Sequence, residues 1–185
     1  MADWDVDRYR ALLLLQARQL RFDPRLQRRF DSSDLVQETL LKAHEKRDQF
    51  RGRTEAERIK WLQEILTHTL ADQVRRARAQ KRDVALEQSL EAAVAESSAR
   101  LDAVLPDNQP SPAENVERAE RLMHLAAAIE QLPEDQRDVI ILRDLMGQPV
   151  AQIGEALGRS AKSIAGLVLR ARRKLRELLL SEPEA

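Results

Sequence analysis

A chain of 185 residues accommodates one ordinary domain or two small ones. Its apolar fraction of 43% suffices for a packed core, but with only 3% aromatics that core must be built from Leu, Ile, Val and Ala. The absence of cysteine excludes disulfides, thiolate metal sites and a cysteine nucleophile, and a formal net charge of zero argues at first against a polyanionic partner.

The first ten residues, MADWDVDRYR, are polar and charged and show no signal-peptide pattern. The longest apolar runs, Leu12 to Leu15 and Leu125 to Ile129, are far too short to span a bilayer. No membrane insertion and a cytoplasmic location are therefore expected. Leu, Ala, Arg, Gln and Glu dominate, all strong helix formers. The first predicted helix runs from about Val6 to Arg21, with Leu12, Leu13, Ala17 and Leu20 inward, and is interrupted at Asp23-Pro24. A second begins near Ser33 or Asp34, where Asp34 and Gln37 form a variant capping box. Leu35, Val36, Thr39, Leu40 and Ala43 mark its buried side, leaving Asp34, Gln37, Glu38 and Lys42 outward. Residues 47–54 contain Gly52 and no apolar period, which predicts a loop. A long helix follows from about Glu55 to Lys81, with the stripe Ile59, Leu62, Ile65, Leu66, Thr69 and Val74.

Residues 83–104 are acidic and weakly amphipathic through Val84, Leu86, Leu90, Val94 and Leu101, consistent with one helix or two fragments. Pro106, Pro110 and Pro112 then break helical structure and mark a linker. Beyond it, Val116, Ala119, Leu122, Met123, Ala126, Ile129 and Leu132 keep helical spacing. Pro133-Glu134-Asp135 opens a helix, with proline in the first turn and acids on the positive end of the dipole. Val139, Ile140, Leu142 and Leu145 follow, and Gly147 fits the left-handed position that ends a helix. Val150, Ile153, Ala156 and Leu157 predict a short helix closed by Gly158. Ser160 then caps a last helix with the stripe Ile164, Val168, Ala171, Leu175 and Leu178. The expected fold is all-α: two small helical domains, residues 1–95 and 115–185, joined by a linker at 96–114.

The zero net charge is a sum of blocks. Residues 8–30 carry seven Arg against one Asp, residues 73–82 five basic side chains and no acid, and residues 159–176 seven basic side chains and no acid. Residues 83–120 hold nine acids against two Arg. Each block alone reads equally as a solvated helix face; three basic blocks around an acidic connector favour a polyanion footprint. Residues 149–176 have the order short helix, glycine turn, capped longer helix. This is a helix-turn-helix, whose second helix can enter a major groove while the first braces it. Lys162, Ser163 and Gly166 then sit near base edges, Arg170, Arg172, Arg173, Lys174 and Arg176 suit phosphates, and Arg159 and Ser160 at the turn complete the expected duplex-binding set.

The segment Leu132 to Arg176 resembles the promoter −35 reading domain of extracytoplasmic-function sigma factors of the sigma-70 family. The resemblance rests on Leu132-Pro133, the Val139-Ile140 to Leu142 run, Gln152 to Gly158, Ser160 and Arg170-Ala171-Arg172. Independently, Asp34 to Thr39 is similar to that family's polymerase-binding helix, and Trp61-Leu62-x-x-Ile65 with Asp72-x-x-Arg75-Arg76 is similar to its −10 element helix. Together these motifs cover about two-thirds of the chain. The resemblance implies a transcription initiation factor without catalysis or cofactor. Its partners would be core RNA polymerase, promoter DNA and an anti-sigma factor. Asp34, Gln37, Glu38 and Lys42 would dock on polymerase. Phe50, Arg51, Arg53, Arg58, Lys60 and Trp61 would hold an unstacked −10 base, with Arg75, Arg76 and Arg78 on nearby phosphates. The resemblance also implies that the acidic linker follows the polymerase RNA-exit path.

Trp61 also fits a core position, and the Asp34 to Lys42 side also fits a plain solvated face. Three departures from the family stand out: His68 where Asn is usual, and Ala165 and Leu167 where Lys and Arg are frequent. Gly166 costs about 1 kcal/mol mid-helix relative to Ala, which close backbone approach to DNA would explain. A helix-turn-helix regulator that acts without polymerase is the alternative; the two motifs of the first domain weigh against it. An enzyme is disfavoured because His44, His68 and His124 are dispersed and no phosphate loop, nucleophile elbow or metal-ligand spacing occurs. A helical adaptor is disfavoured by the basic blocks.

Overall fold

The computed structural model describes residues 4–23, 26, 30–78, 84–104 and 112–181. Pro24, Pro106, Pro110, the side chains of Arg78 and Leu86, and residues 79–83 lie outside what is described. Among the described residues there is no strand, and no helix is long and apolar enough to cross a membrane. Two compact units emerge, residues 1–123 and 124–185. The expected linker at 96–114 differs from this division. Residues up to 104 continue a helix of the first unit, and the boundary falls later, inside the next helix.

In the first unit, a 3-10 turn at Asp7–Tyr9 leads into α1 (Arg10–Arg21). Then come α2 (Ser32–Lys46), α3 (Glu55–Arg78), α4 (Val84–Val104) and the first part of α5 (Pro112–Glu130). The α2 start is capped by Asp31, not by the expected Asp34–Gln37 pair. The Asp31 carboxylate accepts from the amides of Ser33 at 2.8 Å and Asp34 at 3.0 Å, because only residue 31 has the extended backbone a cap requires. The capping box of this unit lies at α3 instead. The Glu57 amide donates to Thr54 Oγ1 at 3.2 Å, and the Thr54 amide donates back to the Glu57 carboxylate at 2.9 Å.

The expected inward residues of α1 and α2 are all buried, and so are those of α3 except Ile59, which is half-buried. Burial of α1 goes further than its amphipathic period suggests. Leu15, Gln16 and Gln19 are also buried, because α2 packs on one side of α1 and α4 on another. Acidic α4 is one continuous helix that buries Leu90, Ala93, Val94 and Leu101 against α1 and α3. Val116, predicted inward, is 47% exposed.

The second unit comprises the end of α5, α6 (Glu134–Ile140), a π-helical stretch at Ile141–Leu145, α7 (Val150–Leu157) and α8 (Ala161–Leu180). Pro133 stands just before α6, as its cap residue rather than in its first turn. Arg137 donates to the Glu130 and Leu132 carbonyls, satisfying acceptors that the end of α5 leaves open. Val139, Ile140, Ile141 and Leu142 are all buried: the central segment is enclosed on every side, so its apolar run is continuous. The Met146 amide reaches back five residues to the Ile141 carbonyl at 2.9 Å. Gly147 and Gly158 both take positive φ, 68° and 65°, as expected. Ala156 is exposed, not inward, since α7 is only about two turns long and buries mainly Ile153 and Gly154.

The tightest point of the helix-turn-helix is Gly154. A Cβ there would stand 2.6 Å from the Arg159 carbonyl oxygen, which the backbone of the turn fixes. At Gly166 a Cβ would meet only the far end of Arg170, at 3.3 Å. Gly154→Ala should therefore destabilise the protein by about 1–3 kcal/mol through overpacking. Gly166→Ala should be neutral or stabilising by up to about 1 kcal/mol. Urea unfolding of the two variants checks the contrast, and equal stability would refute it.

Candidate nucleic-acid and polymerase interface

Three groups of residues are built by these elements. The first is the seam between α2 and α3. Asp34 and Gln37 are exposed, as predicted, but Glu38 and Lys42 are only partly exposed and engaged across the seam. Lys42 Nζ lies 3.1 Å from both Glu38 and Asp72, and Asp72 pairs with Arg75 at 2.6 Å. Gln73 donates to Glu38 at 3.0 Å, and Arg76 reaches the same carboxylate at 3.3 Å. The structure thus joins Glu38 and Lys42, predicted for one partner, with Arg75 and Arg76, predicted for another, in one network. The Gln73 hydrogen bond, followed by Lys42 and Arg76, holds the Glu38 carboxyl below the usual carboxylate range. On the open side of α2, Leu41 is 60% exposed, one turn from Gln37 and Glu38 and two turns from Asp34. Sequence reading missed it. A lone outward leucine reads as noise until its neighbours are placed.

The second group surrounds the start of α3. Trp4, Tyr9, Phe50 and Trp61 form one aromatic cluster, with ring centroids 5.4–5.8 Å apart for the four contacting pairs. These are four of only six aromatics in the chain. Trp61 is half-buried, so it is neither plain core nor a free surface ring. Arg58 lies over Trp4 at 5.8 Å and donates to Glu55 at 2.6 Å. The buried Tyr9 hydroxyl donates to the other Glu55 oxygen at 2.7 Å. Burial, then that hydrogen bond and the charge of Glu55, push the Tyr9 hydroxyl well above its ordinary pKa. Trp4, Tyr9 and Glu55 escaped the sequence reading because they are remote from Phe50 and Trp61 in the chain or polar. The rarity of aromatics was the one signal available.

Gly52 lets the loop close over Phe50: a Cβ there would come within 2.4 Å of the ring. Arg51 and Arg53 are exposed beside it, with Arg51 donating to the Asp48 carbonyl at 3.1 Å. Lys60 is exposed and lines a cleft with Gln16, Gln63 and Val94, away from the partners of Trp61. His68 is exposed.

The third group is α8. Ser160 caps it by accepting from the Ser163 amide at 3.2 Å. Arg159 pairs with Asp135 at 2.7 Å, and Arg172 makes a two-pronged contact with Asp144, so both are oriented by acids of the same unit. Lys162, Arg170 and Arg173 are exposed; Ser163 and Gly166 are intermediate. Leu167 is 5% exposed and belongs to the core stripe. A cation in its place would be buried, so Leu167 is not a lost DNA contact, whereas Ala165 is exposed.

Residues 6–80 match the family described as Sigma-70 region 2, and residues 122–175 the family described as Sigma-70, region 4. The chain is 29% identical over 153 residues to the ECF RNA polymerase sigma factor SigG of Mycobacterium tuberculosis, covering 78% of this chain and 41% of that one. It is 28% identical over 149 residues to SigM of the same organism, covering 80% and 64%. SigE of Mycolicibacterium smegmatis is 29% identical over 151 residues, covering 80% and 52%. The chain thus spans less than two thirds of these relatives. A solved structure of the sigma factor RpoE in complex with the anti-sigma factor NepR from Bartonella quintana is 25% identical, covers 93% of this chain and 94% of that one, and superposes with a TM-score of 0.36.

Because the folded-state pKa of Glu38 is lowered, its contribution to stability is complete above the ordinary carboxylate value of about 4.3 and is lost as pH falls through the lowered value. Urea unfolding from about pH 7 to about pH 3 should show wild type above Glu38→Gln at neutral pH and the two converging in acid. A gap that persists unchanged at the acid end would contradict this.

Proposed function

The chain belongs to the extracytoplasmic-function group of the sigma-70 family, and on that premise we propose that it directs RNA polymerase to promoters by a two-point grip. The exposed side of α2 docks on core polymerase, with Asp34 and Gln37 as polar contacts and Leu41 as an apolar anchor. Glu38 and Lys42 act mainly by holding α2 on α3 at a fixed setting. The aromatic cluster receives an unstacked −10 base. Stacking on a half-buried ring beside Arg51, Arg53 and Arg58 supplies affinity for a melted strand without needing duplex geometry. Arg75 and Arg76 lie along α3 toward neighbouring phosphates. In the second unit, α8 enters the −35 major groove while Arg159, Arg170 and Arg173 meet phosphates.

The observation that carries this reading is the pairing, in one chain, of a cation-flanked aromatic cluster suited to single strands with a helix-turn-helix suited to duplex. A duplex-binding regulator has no use for the first. An anti-sigma protein that covers these faces is the regulatory partner we propose by family analogy. Residues 84–104 of the acidic block are packed on α1 and α3 as α4, so this part would enter an RNA-exit path only by leaving that seat.

Run-off transcription with purified core polymerase on a promoter library tests the proposal. Start sites dependent on the chain are expected. Duplex binding without core association would support the regulator alternative instead. Leu41→Asp should weaken binding to core about tenfold or more, equivalent to ~1.4 kcal/mol, without lowering the melting temperature, since the side chain is exposed. Phe50→Ala should leave core binding intact while reducing open-complex formation on duplex promoters, and less so on templates already melted at −10.

A further inference from the structure

The side of α8 opposite its core stripe carries Lys162, Ala165, Leu169 and Arg173, one above another. Leu169 is 74% exposed. A single exposed leucine is ordinary on a protein surface. This one lies within residues 159–176, which hold seven cations and no acid. The neighbouring flank at Gly166 is open, with only the tip of Arg170 near it. The strip formed by Ala165 and Leu169 is thus apolar, unshielded and bordered by positive charge.

Such a border selects a polyanion, and the apolar centre must meet an apolar feature on it. In the major groove that feature is the C5 methyl of thymine; the other base edges present donors and acceptors that Ala and Leu would leave unpaired. Residues 165 and 169 are four positions apart, about 6 Å along the helix, comparable to two base-pair steps of ~3.4 Å. We propose that Ala165 and Leu169 read thymine methyl groups, making α8 select thymine at one or two positions of the duplex it enters. This rests on the reading of α8 as the −35 helix. A protein surface could also cover Leu169, but it would not distinguish a methyl group on DNA.

The test uses the full chain with core polymerase. Duplexes that support transcription are selected from a library randomised upstream of −10, and each thymine of the enriched upstream element is replaced singly by deoxyuridine, which removes only the methyl. At one or two positions the replacement should lower promoter binding about fourfold, the factor equivalent to ~0.8 kcal/mol for one buried carbon. In Leu169→Ala the penalty at one of these positions should vanish. Unchanged circular dichroism and melting temperature establish that this variant folds. If an upstream element is enriched but uridine equals thymine throughout, or Leu169→Ala keeps every penalty, the proposal is overturned while the −35 reading stands. If no upstream element is enriched, α8 does not read duplex and both fall.

Discussion

The apolar seam between α2 and α3 fixes everything the first unit can do. Leu35, Val36 and Leu40 on one helix and Leu62, Leu66 and Leu70 on the other are almost completely buried. At roughly 1.5–3 kcal/mol per fully buried side chain, this seam is among the larger favourable contributions to the unit. It also sets where two different surfaces point. The outer side of α2 carries Asp34, Gln37 and Leu41, and the start of α3 carries Trp61. If the helices slid past each other by one turn, the first surface would lose its register with the second.

The charged edge of that seam restrains such sliding. Ion pairs among Glu38, Lys42, Asp72, Arg75 and Arg76 are partly exposed, and individually such pairs contribute little stability. As a connected set, however, they are satisfied only in one register. Their value is geometric, and they remove two of the predicted docking side chains from free service.

In the second unit the equivalent constraint is backbone clearance. α7 and α8 cross within a turn so tight that position 154 has no room for a side chain, and Gly158 completes the turn in a left-handed conformation. That crossing leaves the open side of α8 to solvent. Arg159 and Arg172 are held by Asp135 and Asp144, which leaves a narrow apolar strip framed by cations rather than a uniformly basic face.

Much of this was legible in the chain because it depends on local chemistry. Helical periods, the glycines at 147 and 158 and the cap at Ser160 follow from propensities and backbone sterics within a few residues, and motif order located both sigma-like segments. The cap at Asp31 rather than Asp34 escaped, since both residues have the right side chain and only backbone conformation separates them. What tertiary structure decided is everything that requires distant residues to meet. It gathered Trp4 and Tyr9 around Phe50 and Trp61, buried both sides of α1 by seating α4 on it, tied Glu38 to Gln73 and Arg76, and turned Leu167 inward while leaving Leu169 out. A one-dimensional period gives a helix its buried side. Which neighbours cover that side, and how far the cover extends, is settled only when the helices pack.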